Sequence, residues 1–247
     1  MEVLVIALWS FAVAVAGGVA GLVLGNLRLP VLLQFATSPA AGAGANVAVS
    51  GLSALTASIA HWRGGRIDWR LFWLMAPPSL LGGIAGGLLS GVLPKRVLLG
   101  AIALVVLYGA VEIARHNNRP QPEEPPQGGV SVALAIAFAV GILGGLVGLI
   151  LGTLRLPAMV KWLGTTPKAA VGTNAAVGTL VGLGGLLGHL NSGVDWTLLY
   201  AGALGAIPGA CLGAQLTGKL DDEALLKVIS AILVVAGLVL GAEAVLG

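Results

Sequence analysis

Two arginines, Arg28 and Arg155, are the residues of this sequence with the clearest chemical potential. Each lies near the end of the same apolar phrase, which covers Gly17–Pro30 in the first copy and Gly144–Pro157 in the second. A guanidinium stays charged at physiological pH and forks onto planar or tetrahedral oxyanions. A charge at the end of a membrane-length apolar stretch is costly unless it is paired, solvated or used. The pair therefore predicts a binding site for a small anion, and snorkelling to lipid headgroups is the alternative.

Amide, hydroxyl and backbone groups accompany both arginines. Asn46 and Asn174 lie early in the next apolar run, and Thr173 adds a hydroxyl beside the second asparagine. These side chains are candidates for hydrogen bonds to an anion, although they can equally hold neighbouring helices together. Helix N-termini in this region would also direct free N–H groups at an anion. The predicted site further includes the glycine before and the proline after each arginine, namely Gly25, Gly152, Pro30 and Pro157.

His61 and His189 lie at the end of the second long apolar run of each half. A histidine titrates near neutral pH and could couple transport to protons, whereas its place beside a polar loop also suits a satisfied interfacial histidine. The sequence has no third histidine close to this pair, no carboxylate cluster and a single cysteine, so we expect neither a metal site nor a cofactor. It also lacks a phosphate-binding loop and a Ser/His/Asp set, and an enzyme is not expected.

The composition is that of a helical membrane protein with several spans. Of the 247 residues, 57% are hydrophobic and only 9% are charged; soluble domains carry about 25% charged residues. The mean hydropathy is +0.99, and the 39 glycines suit closely packed transmembrane helices. A net charge of +3 without a basic cluster argues against nucleic acid and leaves the lipid bilayer as partner. The predicted spans lack mid-helix carboxylates, which disfavours cation transport.

Eight membrane-length apolar runs predict an all-α polytopic protein with eight transmembrane helices. The runs are Val3–Gly25, Gly42–His61, Arg70–Gly91, Arg96–Ala114, Val130–Gly152, Ala170–His189, Trp196–Thr217 and Leu225–Leu246. A polar, proline-rich stretch divides them into two sets of four. We therefore predict a first transmembrane repeat at residues 1–114, an extended linker at 115–129 and a second repeat at 130–247.

The two halves share matched residues beyond the arginine phrase, which predicts homologous repeats. Gly17 and Gly144 are 127 residues apart, and the asparagines, the histidines and two Asp-Trp pairs follow in the same order. Prolines interrupt the segments Asn26–Ala45 and Thr153–Thr173, which are interpreted as short half-helices that re-enter the membrane or, alternatively, as interfacial loops. The repeats are parallel if these segments do not cross and inverted if they do.

The arginine phrase and two later loops form a pattern with a known counterpart. Gly-x-x-x-Gly-Leu-x-Leu-Gly-x-Leu-Arg-Leu-Pro occurs twice, and the loops Gly65–Trp69 and Gly193–Trp196 follow. Over essentially its whole length the chain resembles the TauE/SafE family of sulfite-exporter-like membrane permeases. Many members carry a Gly-Gly-Gly run before the proline, where this chain has Gly-Asn-Leu-Arg and Gly-Thr-Leu-Arg. The resemblance implies transport of small sulfur-containing or organic anions, and the arginines loosen the case for sulfite itself.

These observations predict a secondary transporter for a small anion in the cytoplasmic membrane of a prokaryote. The expected substrate is a sulfur-containing oxyanion or an organosulfonate, moved by alternating access about a site near both arginines. A proton or another ion is the expected coupling partner, and a homo-oligomer is compatible with the sequence. An anion channel or facilitator, or a non-transporting membrane scaffold subunit, are the alternatives.

Overall fold

In the computed structural model of this protein, all regular secondary structure of the described residues is α-helical. The structure describes residues 1–88, 94–116, 129–147, 149–189 and 193–246. These parts contain ten α-helices: α1 (Glu2–Ala20), α2 (Gly25–Leu33), α3 (Pro39–Arg63), α4 (Trp69–Leu88), α5 (Lys95–His116), α6 (Gly129–Val147), α7 (Gly152–Trp162), α8 (Pro167–His189), α9 (Trp196–Lys219) and α10 (Asp222–Leu246). The predicted linker at 115–129 lies almost entirely outside the described residues.

Six of the described helices, α1, α3, α5, α8, α9 and α10, are long and apolar enough to cross a membrane. This finding confirms an all-helical, multi-pass membrane protein. The other two predicted spans correspond to α4 and α6, and their crossing stays a prediction. The first predicted run extends to Gly25, but α1 already ends at Ala20 because the backbone turns left-handed at the next residue.

Gly21 ends α1 and begins an interruption between α1 and α2. Its φ is +62°, and the Leu22 N–H donates to the Gly17 carbonyl at 2.8 Å, which closes the helix with a turn typical of glycine. A Cβ at residue 21 would overlap the carbonyl of Val171 in α8. Glycine is therefore required here by the backbone conformation and by the close approach of a helix from the other half.

Two short helices, α2 and α7, follow the interruptions and carry the two arginines. They contain 9 and 11 residues, too few to cross a hydrocarbon core of about 30 Å. The expectation that prolines break these segments holds for one proline of each: Pro39 and Pro167 begin α3 and α8 after a gap, whereas Pro30 and Pro157 lie inside α2 and α7. A proline within a helix removes one backbone hydrogen bond, and here the chain continues through it. The first interruption lies before the arginine, at residues 21–24.

Residues 21–33 run back between α1 and α3, so these two long helices point in the same direction. The Gly18 carbonyl, near the end of α1, lies 3.3 Å from Nε2 of His61, near the end of α3, so both helices end on the same side. The end of α2 lies beside the start of α3, since a Cβ at Gly42 would be 3.0 Å from Leu33 Cδ2. The interruption and α2 together therefore run opposite to both long helices.

Small residues let the first helix of each half pack against a helix of the other half. On the α1–α9 contact, a Cβ at Gly205 would overlap the carbonyl of Ala7. On the α4–α6 contact, a Cβ at Gly141 would overlap the carbonyl of Ser79. Glycine thus serves close helix packing, as its abundance predicts.

Corresponding helices of the two halves run antiparallel to each other. Along the contact between α3 and α8, Val47 faces Gly185 and Ala54 faces Gly178, so the numbering rises on one helix while it falls on the other. Helices α5 and α10 also run antiparallel to each other. Helices of one half therefore pack against helices of the other, and the contact between α3 and α8 is one of these.

Candidate functional site

Arg28 lies in α2 with its guanidinium inside the protein. Only 2% of this residue is exposed, so it does not snorkel to the membrane surface. Its Nε donates to Asn46 Oδ1 at 3.0 Å, and its Nη2 donates to Ser50 Oγ at 2.6 Å and to the Asn46 carbonyl at 3.4 Å. Both partners belong to α3, so the first arginine is held within its own half.

The Asn46 carboxamide connects this arginine with the start of α2. While its Oδ1 accepts from Arg28, its Nδ2 donates to the Gly25 carbonyl at 3.1 Å. A Cβ on Gly25 would lie 2.8 Å from Ser50 Oγ, so the glycine allows the helix start to approach α3. Three residues that the sequence nominated separately thus form one cluster.

Arg155 occupies the corresponding position in α7 and is 1% exposed. Its Nε donates to Asn174 Oδ1 at 3.1 Å, which repeats the contact of the first half. Its Nη1 donates to the hydroxyl of Ser79 in α4 at 3.3 Å, a helix of the opposite half. Its Nη2 is buried without a hydrogen-bond partner in the described part of the chain.

The Asn174 carboxamide joins the interruptions of both halves. Its Nδ2 donates to the Gly152 carbonyl at 3.1 Å and to the Gly21 carbonyl at 2.8 Å. Because its Oδ1 accepts from Arg155, one side chain orients the arginine, the start of α7 and the turn after α1. A buried amide with all these partners is a rigid structural link.

Neither guanidinium has a carboxylate partner among the described residues. Two ion pairs in that part of the chain, Lys161 with Glu112 and Lys227 with Glu223, involve neither arginine. A buried charge costs several kcal/mol when no counter-charge compensates it. The hydrogen bonds to asparagine and serine offset part of this cost, and a net positive charge remains at each site.

A small cavity of about 20 Å³ lies where the starts of α2 and α7 meet. Its lining includes Asn26 and Ser50 from the first half and Thr153 from the second. The cavity has room for about one water molecule. Sequence reasoning missed these three residues, although Asn26 and Thr153 occupy the position after the glycine in the repeated phrase.

Three predicted site residues lie elsewhere. The Thr173 hydroxyl accepts from the Asp68 N–H at 2.9 Å, at the start of α4, and donates no bond toward Arg155. Pro30 is exposed, and Pro157 faces α5, where a Cβ at Gly109 would lie 2.8 Å from its Cγ. The structure therefore groups the arginines, asparagines and glycines of the prediction into two clusters, Arg28–Asn46–Gly25 and Arg155–Asn174–Gly152, without the threonine or the prolines.

His61 is buried, and both of its ring nitrogens have partners away from the arginine clusters. Its Nδ1 accepts from Arg66 Nε at 3.0 Å, which leaves Nε2 to donate to the Gly18 carbonyl at 3.3 Å. Arg66 also donates to the carbonyl of Ala214 in α9. The side chain of His189 lies outside the described residues.

The aspartates of the two Asp-Trp loops act as N-caps, as their position predicts. Asp68 Oδ1 accepts from the Leu71 N–H at 3.0 Å, and Asp195 Oδ1 accepts from the Leu198 N–H at 3.1 Å. Asp195 Oδ2 also accepts from the N–H and hydroxyl of Thr37, in the first half. Burial opposes ionisation of Asp195, but these hydrogen bonds outweigh burial and lower the pKa of its carboxyl below the usual range.

Comparison with known proteins gives a single family. The model of the family described as "Sulfite exporter TauE/SafE" matches residues 6–240. The probable membrane transporter protein YunE of Bacillus subtilis (strain 168) is 40% identical over 110 residues, which make up 43% of this chain and 40% of YunE. Two further probable membrane transporters of that organism align almost end to end: YdhB is 24% identical over 91% of this chain and 92% of its own, and YjnA is 25% identical over 96% and 99%. No solved structure matches.

Proposed function

This chain belongs to the sulfite exporter TauE/SafE family of membrane transporters, and on that premise we propose that it is a secondary transporter for a small anion. The observation that carries the proposal is the pair of buried guanidiniums, Arg28 and Arg155, which lack a carboxylate partner in the described part of the chain. An anion from outside the chain would supply the missing counter-charge. The free Nη2 of Arg155 supports the same role.

The starts of α2 and α7 favour an anion independently of the arginines. Neither helix has a side-chain cap at its N-terminus, and both begin inside the protein beside the cavity. Uncapped N–H groups and the positive end of the helix dipole attract negative charge. In transporters with interrupted helices, such termini commonly face the substrate near the bilayer midplane. We therefore propose that the substrate binds in this cavity, between Gly25 and Thr153.

The substrate class follows from the family and from the donors. A guanidinium and amide N–H groups suit oxygen atoms that carry negative charge. The family description names sulfite, a small sulfur oxyanion. We propose a sulfur-containing oxyanion or an organosulfonate as cargo, and the cytoplasmic membrane of a prokaryote as the location. A homo-oligomeric assembly is part of the proposal that the chain alone does not require.

Alternating access is the mechanism that the architecture supports best. The cavity at the two helix starts holds about one water molecule, so a larger anion enters only when helices move. Although α2 and α7 alone are too short to cross, we count each of them together with the interruption before it as one crossing. Each half then crosses the membrane five times, an odd number. The halves then form inverted repeats, in agreement with the antiparallel direction of α3 and α8. Rocking one half against the other would open the site alternately to the two sides.

Proton coupling through His61 is compatible with this mechanism under one condition. A proton can bind Nδ1 only after the Arg66 Nε–H leaves it, because Arg66 donates to that nitrogen. Protonation would therefore free the loop that Arg66 anchors to α9. We propose His61 as a coupling residue through this release, with His189 as its counterpart in the second half.

The proposed function is tested by flux of radiolabelled sulfite into proteoliposomes. We expect Arg28→Gln and Arg155→Gln each to reduce flux about tenfold or more, because a hydrogen bond to a charged group contributes about 1.5–3 kcal/mol. Arg63→Gln, an exposed arginine at the end of α3, is the matched control and should leave flux unchanged. Unchanged flux in both buried variants would overturn the proposal.

Two further measurements fix the substrate and separate a transporter from a channel. Sulfite, sulfate, thiosulfate, methanesulfonate and acetate are ranked by the rise in unfolding temperature of the purified protein, since a bound ligand stabilises the folded state. The best anion is then offered with and without an opposing ion gradient. Accumulation against its own gradient supports a coupled transporter, and flux that only equalises concentrations supports a facilitator.

A further inference from the structure

Asn26 has an unused hydrogen-bond donor beside the cavity at the two helix starts. The residue is 7% exposed, and its Nδ2 is buried without a hydrogen-bond partner in the described part of the chain. Asn26 is one of the residues that line the cavity. A buried amide donor without a partner is costly, so this position calls for a partner that the described part of the chain does not provide.

The two halves contribute different chemistry to the cavity wall. The first half provides the polar residues Asn26, Asn46 and Ser50 with Gly25, beside the apolar Val23 and Val47. The second half provides the apolar residues Leu149, Ile150, Leu151 and Leu240, with Thr153 as its polar side chain. Because Asn46 and Ser50 already bond with Arg28 and Gly25, Asn26 is the uncommitted amide of the polar wall.

We infer that Asn26 binds the transported anion, donating its Nδ2–H to an oxygen of that anion in the cavity between α2 and α7. The inference rests on the proposed function, and it adds a binding residue and an orientation of the bound anion. The oxygen-bearing side of the anion faces the first half, one residue after Gly25 and two before Arg28. The position that holds Thr153 in the second half faces the same cavity, so the bound anion breaks the symmetry of the two repeats.

This role makes Asn26 a determinant of specificity. A site built to hydrogen-bond an oxygen discriminates strongly against ligands that lack it, because its buried donor is then left unpaired. Oxyanions should consequently bind better than halides of the same charge. Removal of the amide should lower the affinity for oxyanions and leave the weak halide affinity as it was.

The test measures the affinity of the purified full-length protein for sulfite and for bromide by isothermal titration calorimetry. We expect Asn26→Leu, similar in size but without a donor, to weaken sulfite binding about tenfold or more and to leave bromide binding unchanged. Asn26→Thr keeps a donor and should retain most of the affinity. Gln215→Leu makes the same amide-to-leucine change on an exposed part of α9 and serves as the control.

The outcomes separate this inference from the proposed function. If Asn26→Leu binds sulfite with wild-type affinity while Arg28→Gln abolishes sulfite flux, the assignment of Asn26 fails and the transporter survives. Should Asn26→Leu not fold, Asn26→Asp decides: it preserves the shape, adds a repelling charge, and must bind sulfite more weakly than wild type if the inference holds. A wild-type protein that binds neither sulfite nor sulfate, thiosulfate, methanesulfonate or acetate overturns both.

Discussion

The two arginine clusters contain the same type of hydrogen bond to an asparagine, and they differ in which half of the chain supplies the other partner. In both, Nε donates to an asparagine oxygen on the following long helix, at 3.0 Å for Arg28 and 3.1 Å for Arg155. The first cluster then stays within its own half, through Ser50 of α3. The second reaches into the other half, through Ser79 of α4. One cluster is self-contained, and the other ties the halves together.

A difference in sequence removes the Ser50 contact from the second cluster. The position that corresponds to Ser50 in the second half is Gly178, at the offset of 128 residues that also relates the two asparagines. A glycine offers no hydroxyl, and Gly178 instead allows close approach of Val23 and Ala54. Arg155 therefore takes its hydroxyl from α4. If the halves move against each other, the Arg155 cluster is the one whose partners change.

Replacement of the two asparagines gives the largest expected difference between the clusters. Asn174→Leu orphans three groups, Arg155 Nε and two carbonyls, and we expect it to lower the free energy of unfolding by about 3 kcal/mol. Asn46→Leu orphans Arg28 Nε and the Gly25 carbonyl, and about 2 kcal/mol is expected. The measurement is an unfolding titration in mixed micelles.

The asparagine comparison has a control on the same helix as Asn46. Ser53 donates only to the Val49 carbonyl of its own helix, so Ser53→Ala should change stability little. Equal losses for the two asparagine variants would show that the bond to Gly21 contributes nothing. In that case the second cluster would tie the halves together through Arg155 and Ser79 alone.

The sequence was sufficient to find the arginines and the asparagines, and the reason is physical. A guanidinium in an apolar phrase is costly, so two matched copies indicate a use that the chain maintains. The amides follow at nearly the same spacing, and the structure pairs each with its arginine. The lack of mid-helix acids also predicted that the arginines have no obvious carboxylate partner, whereas the sequence left snorkelling to headgroups open and the structure shows burial.

The sequence could not predict where the helices are interrupted or which neighbours each helix face meets. Proline is the stronger local signal and marks the starts of α3 and α8, yet the chain also breaks at Gly21, where Val171 of the other half approaches closely. Thr173 was nominated as the neighbour of Asn174, but adjacent residues on a helix point about 100° apart and meet different partners. Its hydroxyl consequently serves Asp68. Such errors arise where a contact between distant segments decides the outcome.

The two capping aspartates extend the comparison to the loops. Asp195→Asn should destabilise the protein by about 1 kcal/mol at pH 7, because the carboxylate accepts from Thr37 of the other half as well as from Leu198. Asp68→Asn should cost less, since asparagine is also a good N-cap and the described acceptor bond of Asp68 goes to Leu71. Unfolding titrations of both variants measure the difference.

The pH dependence of this effect has a definite sign. The pKa of Asp195 is lowered in the folded state, so its contribution is present above the unfolded pKa of about 3.9 and is lost as pH falls through the lower folded value. The stability gap between wild type and Asp195→Asn should therefore narrow below about pH 4. A gap that stays constant from pH 7 to pH 3 contradicts the role of the ionised carboxylate.

The smallest expected effect comes from the C-terminal ends of α2 and α7. Lys161 of α7 forms an ion pair with Glu112 of α5 at 2.7 Å and donates a hydrogen bond to Tyr108, whereas the corresponding Gln34, directly after α2, is exposed. Lys161→Gln makes the second half resemble the first and should cost about 1 kcal/mol in unfolding titrations at low salt. Gln34→Lys should change stability by a few tenths of a kcal/mol, because it gains no comparable partner.

The ion pair of Lys161 is a further tie between the halves, so its loss bears on movement as well as on stability. The exposed pair of Lys227 and Glu223 lies within α10, and Lys227→Gln provides a control for the loss of a lysine charge without a link between halves. If α7 is held to the first half while α2 moves freely with its own, Lys161→Gln should alter the rate of anion flux and Lys227→Gln should not. Identical flux in the two variants would mean that the unequal ties of α2 and α7 affect folding only. The asymmetry would then follow from sequence drift between the halves, with no part in how the site opens.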